Sequence, residues 1–156
     1  MTRLAVLFLA AIALAACEPT NRAPTALPGV AGDPTSPAFF RASVGDRVLF
    51  AVDEATLSPQ ARTTLEAQAG WLVQNGGYNA VIEGHADEQG TREYNLALGA
   101  RRAAAVKEFL VARGVADARL DTVTFGKERP IEICSEESCY ARNRRAVTVI
   151  AAGAGA

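Results

Sequence analysis

The sequence predicts an α/β fold, a mixed sheet in βαβαβ…β order with helices packed on one face. Two observations carry this. Short apolar runs at Asp46–Val52, Asn79–His85, Leu120–Phe125 and Ala146–Ala151 read as strands. Between the first three lie two segments of helical periodicity with start and stop signals, near 58–74 and 92–113. Strands alternating with helices argue for an α/β sandwich, with helices covering one face of a mixed sheet. The length of 156 residues suits one domain, and a formal net charge of −1 excludes the basic field that nucleic-acid binding needs.

Residues 1–16 read as an address, removed in the mature protein. Arg3 is a short positive head, and Leu4 to Ala13 form an apolar stretch too short to span a bilayer. Leu14-Ala15-Ala16-Cys17 looks like a bacterial lipobox, whose cysteine becomes lipidated and N-terminal after cleavage; an ordinary signal peptide followed by a chance cysteine is the alternative. Residues 17–43 carry Pro19, Pro24, Pro28, Pro34 and Pro37 and read as an extended tether. At about 3.1 Å per residue, such a segment would span several tens of ångströms. Phe39-Phe40 interrupts it and suits packing at the domain edge or on a partner.

The domain is expected over 44–151, with 152–156 as a flexible tail. Asp46–Val52 suits a buried strand. Ser58-Pro59 starts a helix, the serine as N-cap and the proline at the first helical position. Ala61, Leu65, Ala69 and Leu72 form its inward stripe, Trp71 suits core or helix-edge packing, and Asn75-Gly76-Gly77 stops it. After the second strand, Gly90-Thr91 leads into a helix from about Arg92 to Arg113, with Thr91 as N-cap and Gly114 as terminator. Its apolar stripe reads Tyr94, Leu98, Ala105, Val106 and Phe109, and Asn95 and Arg102 fall on the same face. An inward arginine is costly unless paired or aimed into a pocket. The plainer reading makes Arg101-Arg102 a solvated charge pair.

Glu83, His85 and Asp87 alternate, so they share one face if the strand persists. They could form a metal face, or His85 and Asp87 a base with its orienter. His85 is the only histidine, a catalytic zinc normally wants three protein ligands, and no nucleophile motif is present. The expectation is a binding protein with no enzymatic activity, no cofactor and no metal. With Cys17 lipidated, Cys134 and Cys139 are left to form a disulfide across SEES, or to stay free thiols.

The stretch EGHADEQGTREYN, then LGARRAAAV, Gly126 to Pro130 and the late NRRAV resemble the OmpA-like peptidoglycan-binding domain family, in the form that peptidoglycan-associated lipoproteins carry. The likeness spans roughly Val44 to Val149, with Ile131 to Tyr140 departing from the common pattern. It implies an OmpA-like sandwich that binds peptidoglycan through meso-diaminopimelate of the stem peptide. It places the ammonium acceptor on Asp87 and the carboxylate clamp on Arg102, with Asn95 on the same face, and leaves the roles of Arg144 and Arg145 open. It further implies a lipid anchor in the outer membrane with the domain in the periplasm, TolB and other Tol components as partners, and a role in envelope integrity and cell division. Glu18 after Cys17 agrees with outer-membrane sorting. The alternative is a family lipoprotein outside the Tol system, acting mainly as a protein-interaction module.

Overall fold

The computed structural model describes residues 32–133 and 135–152. A helical turn, α1 (Pro37–Phe39), continues into a π-helical turn at Phe40–Gly45 and leads to β1 (Arg47–Leu49). Then come α2 (Pro59–Gln74), β2 (Tyr78–His85), α3 (Arg92–Ala112), a 3-10 turn at Asp117–Arg119, β3 (Leu120–Gly126), α4 (Glu137–Asn143) and β4 (Arg145–Ala152). The sheet order is β1-β4-β2-β3. The pair β2–β3 is parallel, as its crossover through α3 requires, and β4 lies antiparallel between β1 and β2.

The caps form as their residue types dictate. Ser58 Oγ accepts from the Ala61 N–H at 3.1 Å, and Thr91 Oγ1 from the Tyr94 N–H at 3.2 Å. Past α3, Gly114 takes a φ of +96°, the left-handed conformation that ends helices. The core lies on one face of the sheet: Val48, Ala80, Ile82, Leu120 and Ala146 meet Leu65, Leu72, Ala103, Val106 and Leu110 from the two long helices. Trp71 is buried there, stacked on Tyr78 and tilted on Phe40 at centroid distances of 5.5 and 4.9 Å.

Three expectations change. The tether was assigned through residue 43, yet Phe40 is in the core and the Pro34 carbonyl accepts from Trp71 Nε1 at 2.8 Å. The folded unit therefore begins about ten residues earlier, because Phe39-Phe40 supplies apolar surface for α2. The first strand stops at Leu49 rather than Val52; beyond it Ala51 and Glu54 turn their carbonyls toward an arginine side chain instead of a neighbouring strand. On α3, Tyr94 is exposed and Ala105 half-buried, so the inward face is Asn95, Leu98, Gly99, Arg102, Ala103, Val106, Phe109 and Leu110. The leader, Cys17 and the earlier part of the tether lie outside the described residues; β4 runs one residue into the expected tail, whose remaining residues also lie outside them.

Candidate functional site

Arg102 reaches its position because α3 crosses β2 at very short range. A Cβ on Gly84 would stand 1.8 Å from the Gly99 carbonyl oxygen, so only glycine permits this crossing. Three residues after Gly99, the Arg102 side chain enters the end of the sheet with no solvent exposure at all. Its Nε donates to the Glu54 carbonyl at 2.8 Å, one terminal nitrogen to His85 O at 2.8 Å and the other to Ala51 O at 3.0 Å. The guanidinium also lies 5.1 Å from the Phe50 ring centroid. Burial pulls its pKa down to about 10, against the opposing pull of Asp87. It remains charged at neutral pH, and three of its five N–H groups are spent on carbonyls.

Beside it, the strand ends at His85, so Glu83, His85 and Asp87 do not form one face. Asp87 turns into a loop, where its carboxylate accepts from the Gln89 N–H at 3.2 Å and from Arg144 at 3.1 Å. Asn95 is buried and its Nδ2 donates to Gln89 O at 2.7 Å, so it fixes the loop that carries Asp87. Gly90, with a φ of +89°, lets that loop turn into α3. Glu88 at the loop tip accepts from the Tyr140 hydroxyl at 3.0 Å, which joins α4 to the same loop.

The arginine pair at the start of β4 divides between two surroundings. Arg144, which the sequence left unassigned, belongs to the site: it donates to Asp87, to Glu137 and, at 3.3 Å, to Phe50 O. Arg145 turns elsewhere, to Asn143 O and Arg129 O, next to His85. Glu137 was not singled out in the sequence; its place seven residues before Arg144, about two helical turns, was the available signal.

His85 is not oriented by Asp87. Its ring is buried against Phe125, with a centroid distance of 5.5 Å, and neither ring nitrogen has a hydrogen-bond partner. The Glu83 carboxylate stands 3.6 Å away, too far for a hydrogen bond. Burial, then the charges of Arg145 and Arg129, push its pKa down to about 4. Cys139 is buried and disulfide-bonded, while Cys134, its expected partner, lies outside the described residues.

The OmpA family model matches residues 49–144. A peptidoglycan-associated lipoprotein of Mesorhizobium japonicum is 50% identical over 155 residues, covering 96% of this chain and 92% of the relative. One from Rhizobium meliloti is 48% identical, covering 92% of this chain and 84% of the relative. The crystal structure of the peptidoglycan-associated lipoprotein from Burkholderia pseudomallei superposes with a TM-score of 0.69 at 36% identity, over 79% of this chain and 100% of that one. The C-terminal domain of Helicobacter pylori MotB shares the fold, with a TM-score of 0.63 at 20% identity, over 70% of this chain and 86% of that one.

Proposed function

Because the chain belongs to the OmpA family, among its peptidoglycan-associated lipoproteins, we propose that it binds peptidoglycan non-covalently through the free end of meso-diaminopimelate in the stem peptide. The observation that carries this reading is Arg102, a buried guanidinium whose described hydrogen bonds all go to backbone carbonyls. A carbonyl offers only a partial charge, whereas a ligand carboxylate offers a full one in fork geometry. Asp87 stands beside it to accept from the ammonium of the same amino-acid terminus. The carboxylate reaches Arg102 by displacing the 51–54 loop, whose Asp53 holds a left-handed φ of 56°. Charge-assisted bonds of roughly 1.5–3 kcal/mol each, less association costs, give affinity of micromolar order.

Lipid on Cys17 would hold the domain at the outer membrane, so that wall binding ties the membrane to the sacculus. Family membership supports a place in the Tol system with TolB as partner. Failure to co-purify with TolB would move the protein outside that system and leave the wall reading intact.

The test is titration calorimetry with diaminopimelate-containing and lysine-containing muropeptides, beside sedimentation with purified sacculi. The lysine stem lacks the carboxylate, so Arg102 keeps its carbonyl partners and gains no charged one, and this stem should bind more weakly by at least tenfold. Asp87→Ala, Arg102→Ala and Arg102→Lys should all weaken sacculus binding, the last because a point charge cannot reproduce the fork. Each variant must first unfold cooperatively, since Arg102 also ties three carbonyls. Equal affinities for the two muropeptides would return Arg102 to a purely structural role.

A further inference from the structure

We infer that Glu137 is a positioning residue for ammonium recognition at Asp87, acting through Arg144; the inference rests on the binding reading above. Arg144 bridges two carboxylates. One terminal nitrogen donates to Asp87 at 3.1 Å and the other to Glu137, and the two arms of the bridge differ in setting. The side chains of Arg144 and Asp87 are 5% and 9% exposed, whereas that of Glu137 is 66% exposed.

The arrangement matters because Asp87 faces two cations. Arg144 is hydrogen-bonded to it, and Arg102 lies close enough for its charge to be felt. If Arg144 paired with Asp87 alone, Asp87 would already be neutralised, and an arriving ammonium would meet a compensated carboxylate. Glu137 changes that balance. It takes a share of the Arg144 charge, so Asp87 keeps acceptor capacity for the ligand. A zwitterionic terminus then places its ammonium at Asp87 and its carboxylate at Arg102. Loss of the Glu137 charge makes the field at Asp87 more positive by one charge, which suits a carboxylate and disfavours an ammonium. The helix α4 that begins at Glu137 is fastened to the Asp87 loop by Tyr140 and Glu88, so the geometry of the bridge is maintained.

The test uses the full folded domain and two probes in titration calorimetry. One is a muropeptide with a free diaminopimelate end; the other is the same muropeptide with that amino group acetylated. Wild type should prefer the free amine by about tenfold or more, as loss of one charge-assisted bond implies. Glu137→Gln should reduce the preference to about threefold or less, chiefly by weakening the free-amine probe, and Glu137→Asp should restore part of it. Its thermal midpoint should stay near wild type, because the side chain is largely exposed. If Glu137→Gln keeps the wild-type preference, or weakens both probes alike, the inference is overturned while the site reading stands. If wild type itself shows no preference, ammonium recognition at Asp87 falls, and the inference with it.

Discussion

A neutral imidazole enclosed with cations resists protonation, and His85 is held near pKa 4, first by burial and then by Arg145 and Arg129, against an ordinary 6.5. The unfolded chain therefore binds this proton more readily than the folded one. The stabilisation is complete above pH 6.5, shrinks as pH falls, and is gone by about pH 4. Its full size is on the order of 3 kcal/mol. Denaturant titrations from pH 7 to 4 should show a flatter stability curve for His85→Phe than for wild type, and parallel curves would contradict the assignment. Periodicity put Arg102 and Asn95 on the apolar stripe but left a solvated Arg101-Arg102 pair as an open alternative. It cannot show what receives the arginine, because the carbonyls of Ala51 and Glu54 lie 51 and 48 residues away in the chain. Nor could adjacency separate Arg144 from Arg145, since their opposite destinations depend on where β4 begins.

Among the elements, the helix caps were the most legible, because a serine or threonine N-cap and a terminating glycine act locally. The inner face of α3 was less so. Ranking its residues by hydrophobicity favoured Tyr94 and Ala105, whereas the real face centres on Gly99, which has no side chain to rank. That contact is the joint on which the site depends. A Cβ at Gly99 would also meet Thr124 Oγ1 at 2.4 Å, the hydroxyl that donates to Leu96 O at 2.8 Å. Gly84→Ala should destabilise by about 3 kcal/mol, since the obstruction is backbone and cannot swing away. Gly70→Ala, on the exposed side of α2 with nothing within 4 Å, should instead stabilise by about 0.5–1 kcal/mol. Urea unfolding of the two variants measures the contrast, and equal shifts would mean that α3 can slide along the sheet.

For the whole molecule, the sequence read Phe39-Phe40 as able to pack at the domain edge, yet the prolines around the pair kept it in the tether, whereas Phe40 belongs to the core. Phe40→Ala should cost about 3–5 kcal/mol in denaturant unfolding, as for other buried aromatics, although it sits in what read as a tether. A change near zero would restore the later boundary. The early start also decides how the domain meets mechanical tension. The edge strand β1 pairs through only three residues, and a pull applied there would peel them one after another. A pull from the N-terminal side arrives first at Pro34 and Phe40, where the Trp71 indole hydrogen bond and the aromatic contacts fasten the chain to α2. Those contacts must yield before force reaches β1, so the sheet whose end receives the Arg102 side chain is shielded from strain until the clamp has opened.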